Sequence, residues 1–297
     1  MRVCIIGPGV VGQATGKVLA KQGISVAFLG GSSEKREKLV KEGYECYAKD
    51  ETLKQFDFDV SMFTVPTPTV NGKINLDPIK KAAIDLGKRL KNTTSYHVAV
   101  VKSTVPPGTT EEIVTKQIEK YSGKKVGRDF GVCMNPEYLR EVSAYEDTLK
   151  SWLIVIGQYD KRSGDVLAAV YSHFTCPIHR TTIKEAEMQK YVHNLYNAAK
   201  ITFFNEMREI GKGIDVDVQK IFKLTALSAE GLWNPNYGIA DLGPFDGSCL
   251  PKDTQAFLNW TRKKKLSANL LKTIINVNHA LEKKEGIKVK KTIGMSL

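Results

Sequence analysis

No apolar run in the chain approaches the roughly 20 residues that a membrane-spanning helix requires. The apolar opening, Met1 to Ile6, is cut at once by Gly7-Pro8-Gly9, so it reads as a buried strand and not as a signal peptide. There is no CxxC pair. Five scattered cysteines (Cys4, Cys46, Cys133, Cys176 and Cys249) lack metal-ligand spacing and come in an odd number, which argues against a zinc module or a disulfide framework. Such usage suits a reducing compartment, so a cytoplasmic location and no metal are expected. Repeats at solenoid spacing and low-complexity tracts are also missing. Acidic residues are outnumbered, 32 against 44 basic, for a net charge of +12. Part of the excess is local, in Arg262–Lys265 and in the stretch Lys283–Lys291. Few aromatics interleave these lysines, so no stacking platform for nucleic acid is expected, and a solvated helix surface is the favoured reading. A positive field would still help recruit a phosphate-bearing substrate.

What remains is a chain of 297 residues, 42% hydrophobic and 26% charged, enough for two domains with real cores. Its first part alternates short apolar runs with helical patterns. Strands are expected at Arg2–Gly7, Ile24–Leu29, Val60–Thr64, His97–Lys102 and Phe130–Met134, with late edge strands at Leu153–Gly157 and Ile178–Thr181. Helices are expected at Val10–Gln22, Ser33–Glu42, Leu76–Lys91 and near Thr110–Tyr121. This alternation predicts a doubly wound, mostly parallel sheet covered by helices on both faces. From Ile183 to Gly211 the pattern becomes one long helix without proline, with Met188, Tyr191, Leu195, Ala198, Ala199, Thr202, Phe203 and Met207 recurring at three- and four-residue spacing. Val216–Leu227, Thr254–Lys264 and Ala268–Glu285 are further helices. A domain boundary is expected near residue 183, separating an α/β domain, 1–182, from an all-helical one, 183–297. The irregular segment Gly231–Lys252 is long enough to suggest a functional loop.

Gly7-Pro8-Gly9-Val10-Val11-Gly12 follows a strand and opens a helix. Gly7 permits the tight turn, Gly9 lets the backbone approach a pyrophosphate at the positive end of the helix, and Gly12 lets helix and strand pack closely. The GxGxxG pattern alone is weak, but the strand, helix and second strand around it meet its context requirement and predict a dinucleotide site. The acidic residue expected at the end of the second strand is replaced by Gly30. Without a carboxylate there, repulsion of a 2′-phosphate disappears. Ser32, Ser33, Lys35 or Arg36 could hold such a group, so NADP stays open beside NAD, although Lys35 and Arg36 also fit a solvent-facing helix.

Further motifs follow in order. They are Val65-Pro66-Thr67-Pro68, Lys102-Ser103-Thr104-Val105-Pro106-Pro107-Gly108-Thr109-Thr110, and Asn135-Pro136-Glu137-Tyr138-Leu139-Arg140-Glu141. Inside the long helix stand Glu187-Met188-Gln189-Lys190-Tyr191-Val192-His193-Asn194 and Phe204-Asn205-Glu206, and Gly247-Ser248-Cys249-Leu250-Pro251-Lys252-Asp253-Thr254 comes last. Together these resemble the UDP-glucose/GDP-mannose 6-dehydrogenase family over nearly the whole chain. The resemblance implies a Rossmann-type domain followed by a helical central, dimerising domain. It also implies a homodimer, a nucleotide-sugar substrate, no nucleic acid or membrane partner, and NAD as the cofactor.

The resemblance further implies oxidation of a sugar C6 alcohol to the carboxylate with two NAD per turnover. A thiol that captures the intermediate aldehyde keeps it from escaping and leaves a hydride to give, and the resulting thioester is then hydrolysed. By resemblance Cys249 is that nucleophile, with Lys252 close by to favour the thiolate. Lys190 and Asn194, four apart on a helix, share a face and are implied to stabilise oxyanions. Glu137 is implied as general base or water orienter and Glu141 as its support. Thr104 is implied to hold a water, and Asp253 to orient Lys190 or the water, although an aspartate just before Thr254 also suits a helix cap. Thr64, Pro66, Thr67, Ser103, Thr104 and Lys252 join Gly7, Gly9, Val10, Val11, Gly12, Gly30, Ser32 and Lys35 as expected cofactor contacts.

Some positions depart from the family pattern. Members usually continue into a third domain holding the nucleotide half of the sugar, and this chain stops at Leu297, where that domain would begin. Pro244-Phe245-Asp246-Gly247 stands where Gly-Phe-Gly-Gly is usual, placing a carboxylate near Cys249. Ser151-Trp152-Leu153 stands where Pro-Asp-Arg is usual. Two alternatives therefore stay open: a single-hydride dehydrogenase of the 3-hydroxyacid type, and a truncated dinucleotide-binding relative without catalysis. The Gly247–Asp253 loop speaks against the first.

Overall fold

The computed structural model describes residues 1–49, 51, 56–240 and 243–285. The chain divides into two compact units, Met1–Asn194 and Leu195–Leu297, and the long helix runs through both.

The first unit is built on an eight-stranded sheet. Its strands are β1 (Arg2–Ile6), β2 (Ser25–Leu29), β3 (Glu45–Tyr47), β4 (Val60–Phe63), β7 (His97–Val101), β8 (Phe130–Met134), β9 (Ile154–Gln158) and β10 (Ile178–Thr182). Their spatial order is β10-β9-β8-β7-β4-β1-β2-β3. Every neighbouring pair is parallel except β8 and β9. The expected doubly wound, mostly parallel sheet is therefore present. β1, β4, β7 and β8 are buried on both faces, as strands covered by helices on each side must be.

Helices α1 (Val10–Lys21), α2 (Ser33–Lys41), α3 (Asp77–Leu90), α4 (Lys116–Ser122), α5 (Ala144–Leu149) and α6 (Lys161–Val170) cover the sheet. One apolar cluster gathers Phe63, Leu86, Val101, Ile118 and Phe130. A second gathers Ile5, Leu19, Phe28, Met62 and Leu167. Gly16 of α1 is a packing requirement, because a Cβ there would lie 2.5 Å from the Phe28 ring.

Three local expectations need correction. The Leu153–Gly157 strand is not an edge: β9 is flanked by β8 and β10, and of these two late strands β10 alone lies at a border. The helix expected near Thr110 opens as a π-helical turn, Thr110–Thr115, in which Thr115 Oγ1 donates to Thr110 O, five residues back, at 2.9 Å. A small hairpin, β5 (Thr69–Val70) with β6 (Lys73–Ile74), was not foreseen. Its Asn71-Gly72 turn has φ of 50° and 73°, the left-handed pair that such tight hairpins require.

The second unit is helical among its described residues. The latter part of α7 (Ile183–Lys212) is followed by α8 (Val218–Ser228), α9 (Glu230–Trp233), α10 (Leu250–Lys263) and α11 (Asn269–Glu285). Asp217 caps α8 by accepting from Gln219 N at 3.0 Å and Lys220 N at 3.2 Å. Glu206 caps α11, accepting from Leu270 N at 2.7 Å and Leu271 N at 3.1 Å. Of the apolar stripe expected on α7, Met188, Leu195 and Phe203 are exposed, and Ile183, Ala186, Glu187 and Lys190 are the buried residues of its first turns. The basic stretch Lys283–Lys291 lies largely outside the described residues, whereas Arg262–Lys265 is solvated as expected.

Candidate active site

A cleft of about 850 Å³ opens at the carboxyl ends of β1, β2, β4 and β7 in the first unit, where doubly wound sheets bind ligands. The volume lies within the roughly 300–1,000 Å³ of small-molecule sites. The glycine turn forms its floor. Gly7 adopts φ +98° and Gly12 has no room for a side chain, since a Cβ there would lie 2.5 Å from Gly7 O. Gly9 faces open space and, as N-cap of α1, offers no side chain to the first turn. The helix end is thus left clear for an anion, which fits a dinucleotide pyrophosphate.

Most of the expected cofactor residues line this cleft: Gly7, Gly9, Val10, Val11, Gly30, Lys35, Thr64, Pro66, Thr67, Ser103 and Thr104. Hydrogen bonds fix the polar ones. Thr64 Oγ1 donates to Gly7 O at 2.8 Å, Ser103 Oγ to Val65 O at 2.6 Å, and Thr67 Oγ1 to Thr104 O at 2.8 Å. Gly12 lies beneath the floor. Ser32 is not a lining residue; its Oγ accepts from Lys35 N at 3.4 Å and caps α2. Gly30, with φ +93°, leaves open space where an acidic side chain would project. Lys49 and Lys81 also reach the cleft, with Lys49 paired to Asp85 at 3.4 Å, and the sequence pattern had not pointed to them.

Glu137 stands at one end of the cleft, in the loop after β8. Lys190 of α7 is buried, and its Nζ pairs with Glu137 Oε1 at 3.0 Å and donates to Glu137 O. Leu139 N donates to Glu137 Oε2 at 2.8 Å. Behind this pair lies Lys102, also buried, whose Nζ donates to Asn135 Oδ1 at 2.8 Å. Asn135 is itself held through Nδ2 to Val155 O at 2.8 Å. Burial pushes the Lys102 ammonium down to about 8; nearby Glu137 opposes the shift and Lys190 adds to it. Burial likewise holds His97 down to about 4, and its Nδ1 lies 2.6 Å from Phe58 O, so it is a neutral core histidine.

Glu141 does not join Glu137. Residues 137–140 are irregular, so a spacing of four does not create a common face, and Glu141 is exposed at the start of a 3₁₀ turn. Asn194 follows Lys190 by one helical turn but is exposed.

The second unit carries the cysteine loop. Gly247 turns with φ +94°, and Cys249 is exposed as N-cap of α10. Ser248 Oγ lies 3.7 Å from its sulfur. Helix α10 starts a turn earlier than expected, at Leu250 with Pro251 in its first turn, so Asp253 is not an N-cap; its carboxylate pairs with Lys252. The loop is tied to α11: Phe245 N donates to Asn278 Oδ1 at 2.8 Å, and Asn278 Nδ2 donates to Phe245 O at 3.0 Å. Among the described residues no group of histidine, cysteine and acidic side chains could hold a metal, and no helix is long and apolar enough to cross a membrane.

The sheet, its glycine turn and the cleft above it define a dinucleotide-binding α/β protein of the oxidoreductase type. Residues 47–175 match the NAD binding domain of the UDP-glucose/GDP-mannose dehydrogenase family and residues 184–280 its central domain, and the chain belongs to that family. It is 36% identical to a GDP-mannose 6-dehydrogenase of Pseudomonas putida over 300 residues, 94% of this chain and 68% of that one. It is 33% identical to a UDP-glucose 6-dehydrogenase of Haloferax volcanii, over 94% of this chain and 69% of that one. In three dimensions it is similar to a ternary complex of GDP-mannose dehydrogenase from Pseudomonas aeruginosa, with a TM-score of 0.89 and 33% identity, covering 96% of this chain and 70% of that one.

Proposed function

We propose that this protein oxidises the C6 alcohol of a nucleoside-diphosphate hexose to the carboxylate, with NAD as hydride acceptor and Cys249 as covalent catalyst. The observation that carries the reading is the buried Lys190–Glu137 pair at the end of a cleft whose glycine floor suits a dinucleotide. We assign residues 1–182 to the cofactor and 183–297 to the helical domain carrying the cysteine loop.

A bound nicotinamide supplies hydride acceptance. The chain supplies the rest. The alcohol loses a hydride and a proton to give the aldehyde, and the Cys249 sulfur adds to that carbon to form a thiohemiacetal. Loss of a second hydride and proton leaves a thioester, and water attacks it, releasing the carboxylate and restoring the thiol. Overall, one alcohol, two oxidised cofactors and one water give one carboxylate, two reduced cofactors and three protons. Lys190 and Asn194 steady the oxyanions at the reacting carbon. Glu137 takes a proton from the attacking water, which Thr104 helps to hold. Thr64, Ser103 and Thr67 keep the cleft wall fixed, and Asp253 and Lys252 set the charge beside Cys249.

NAD is the cofactor favoured by the family. Gly30 and Lys35 leave room for a 2′-phosphate, so a comparison of NAD with NADP belongs in the first assay. That assay offers a panel of UDP- and GDP-hexoses and follows cofactor reduction. Turnover of one of them supports the reading. Measurable dinucleotide binding without turnover of any supports a binding protein instead. We further propose a homodimer through the exposed apolar faces of α7 and α11, acting in the cytoplasm. Sedimentation as a dimer at micromolar concentration is expected, and a monomer there contradicts it.

A further inference from the structure

Glu187 has no role in the reaction as written above, yet it is fully buried. Its two carboxylate oxygens take backbone donors from another segment: Gly108 N donates to Oε2 at 2.5 Å and Thr110 N to Oε1 at 2.8 Å. Burial pushes its carboxyl above the usual range. A buried carboxylate is costly to keep, and an apolar side chain would fill the same space at less expense. What it holds is the far end of the Lys102–Thr110 loop.

The near end of that loop is tied to the sheet, by Ser103 N to Phe63 O at 3.0 Å and by the Thr67 hydroxyl on Thr104 O. Between the two ends stand Pro106 and Pro107, whose rings lock φ, and Thr109 N donates to Pro106 O at 3.1 Å. The two prolines limit how far the segment between these ties can bend. Three residues beyond Glu187, on the neighbouring row of the same helix, Lys190 holds Glu137 by its carboxylate and its carbonyl.

We propose that Glu187 is a positioning residue that clamps the Thr104 loop to α7, so that one turn of this helix sets the spacing between Thr104 and the Glu137–Lys190 pair. The proposal rests on the reading that these groups serve the reaction, but the clamp itself can be tested without turnover.

The test uses Glu187→Gln, which keeps shape and volume but can accept only one of the two N–H groups. Amide hydrogen exchange is measured in the full chain and in the variant. Exchange is expected to rise at least tenfold at whichever of Gly108 and Thr110 loses its acceptor, with Val98–Val101 in β7 unchanged. Unchanged exchange at Gly108 and Thr110, or an equal rise throughout β7, overturns the clamp. With an active nucleotide sugar, kcat is expected to fall about tenfold or more, a larger loss than that in NAD affinity. Equal losses in both contradict a positioning role. If the protein turns over no sugar nucleotide, the exchange result still decides whether the clamp exists, separately from the reaction.

Discussion

Residues 1–194 and residues 195–297 treat their apolar side chains differently. In the first unit Phe28, Phe63 and Phe130 are completely buried between sheet and helices. In the second, none of the eleven residues of α8 is buried, and Leu224 and Leu227 remain 58% and 80% exposed. The same division holds for the polar groups. Lys102, Lys190 and Glu187 are buried and tied to named partners, whereas Cys249, Lys252 and Asp253 stand in solvent. The first unit completes its own core and presets its charges. The second has apolar surface left over, more than scattered single residues would explain, and carries Cys249 on an open loop.

The largest effect should come from the open unit. Cys249→Ser is expected to lower acid formation by about a thousandfold or more, because an alcohol at that position is a far poorer nucleophile than a thiolate; acid product quantified by chromatography checks it. Lys190→Ala should lower kcat by about 10²–10³, the usual loss on removing one oxyanion donor, read from steady-state kinetics.

Stability measurements sharpen the contrast between the cores. Phe28→Ala should destabilise the chain by about 3–5 kcal/mol, the cost of deleting a buried ring. Leu224→Ala should change stability by no more than about 0.5 kcal/mol if α8 remains in solvent. A large loss for Leu224→Ala would break the comparison and show that α8 is covered in the assembled protein. Denaturant titration measures both.

A last effect concerns pH. Burial disfavours the charge on Lys102 and pushes its ammonium from the ordinary 10.5 down to about 8. That penalty is fully present below about pH 8 and is relieved as pH rises from 8 toward 10.5. Wild type should therefore gain stability relative to Lys102→Met across that window, with Glu137 and Lys190 as the charged groups facing it. Parallel melting curves of the two proteins would count against the burial argument.

Much of this was legible in the residues. The strand pattern and the glycine turn follow from apolar alternation and from what a pyrophosphate needs of a backbone, whereas the cleft's threonines and prolines were legible only through the family resemblance. The hairpin at Asn71-Gly72 carried a turn signal that was passed over. Glu141 stands in solvent at the start of a 3₁₀ turn after an irregular stretch, a local geometry that its spacing from Glu137 did not disclose. On α7 the periodicity identified an apolar face but not what covers it. Glu187 and Lys102 were invisible as partners because their contacts lie 77 to 79 and 33 residues away in the chain, a separation that no local pattern spans.

The account stands most directly on the number of electrons removed from each sugar. Purified protein, given an active UDP- or GDP-hexose and excess NAD, should form two NADH for every hexuronate, with no free aldehyde trapped by an added amine. One NADH per product, or release of aldehyde, contradicts a cysteine-held intermediate and favours a single-hydride dehydrogenase.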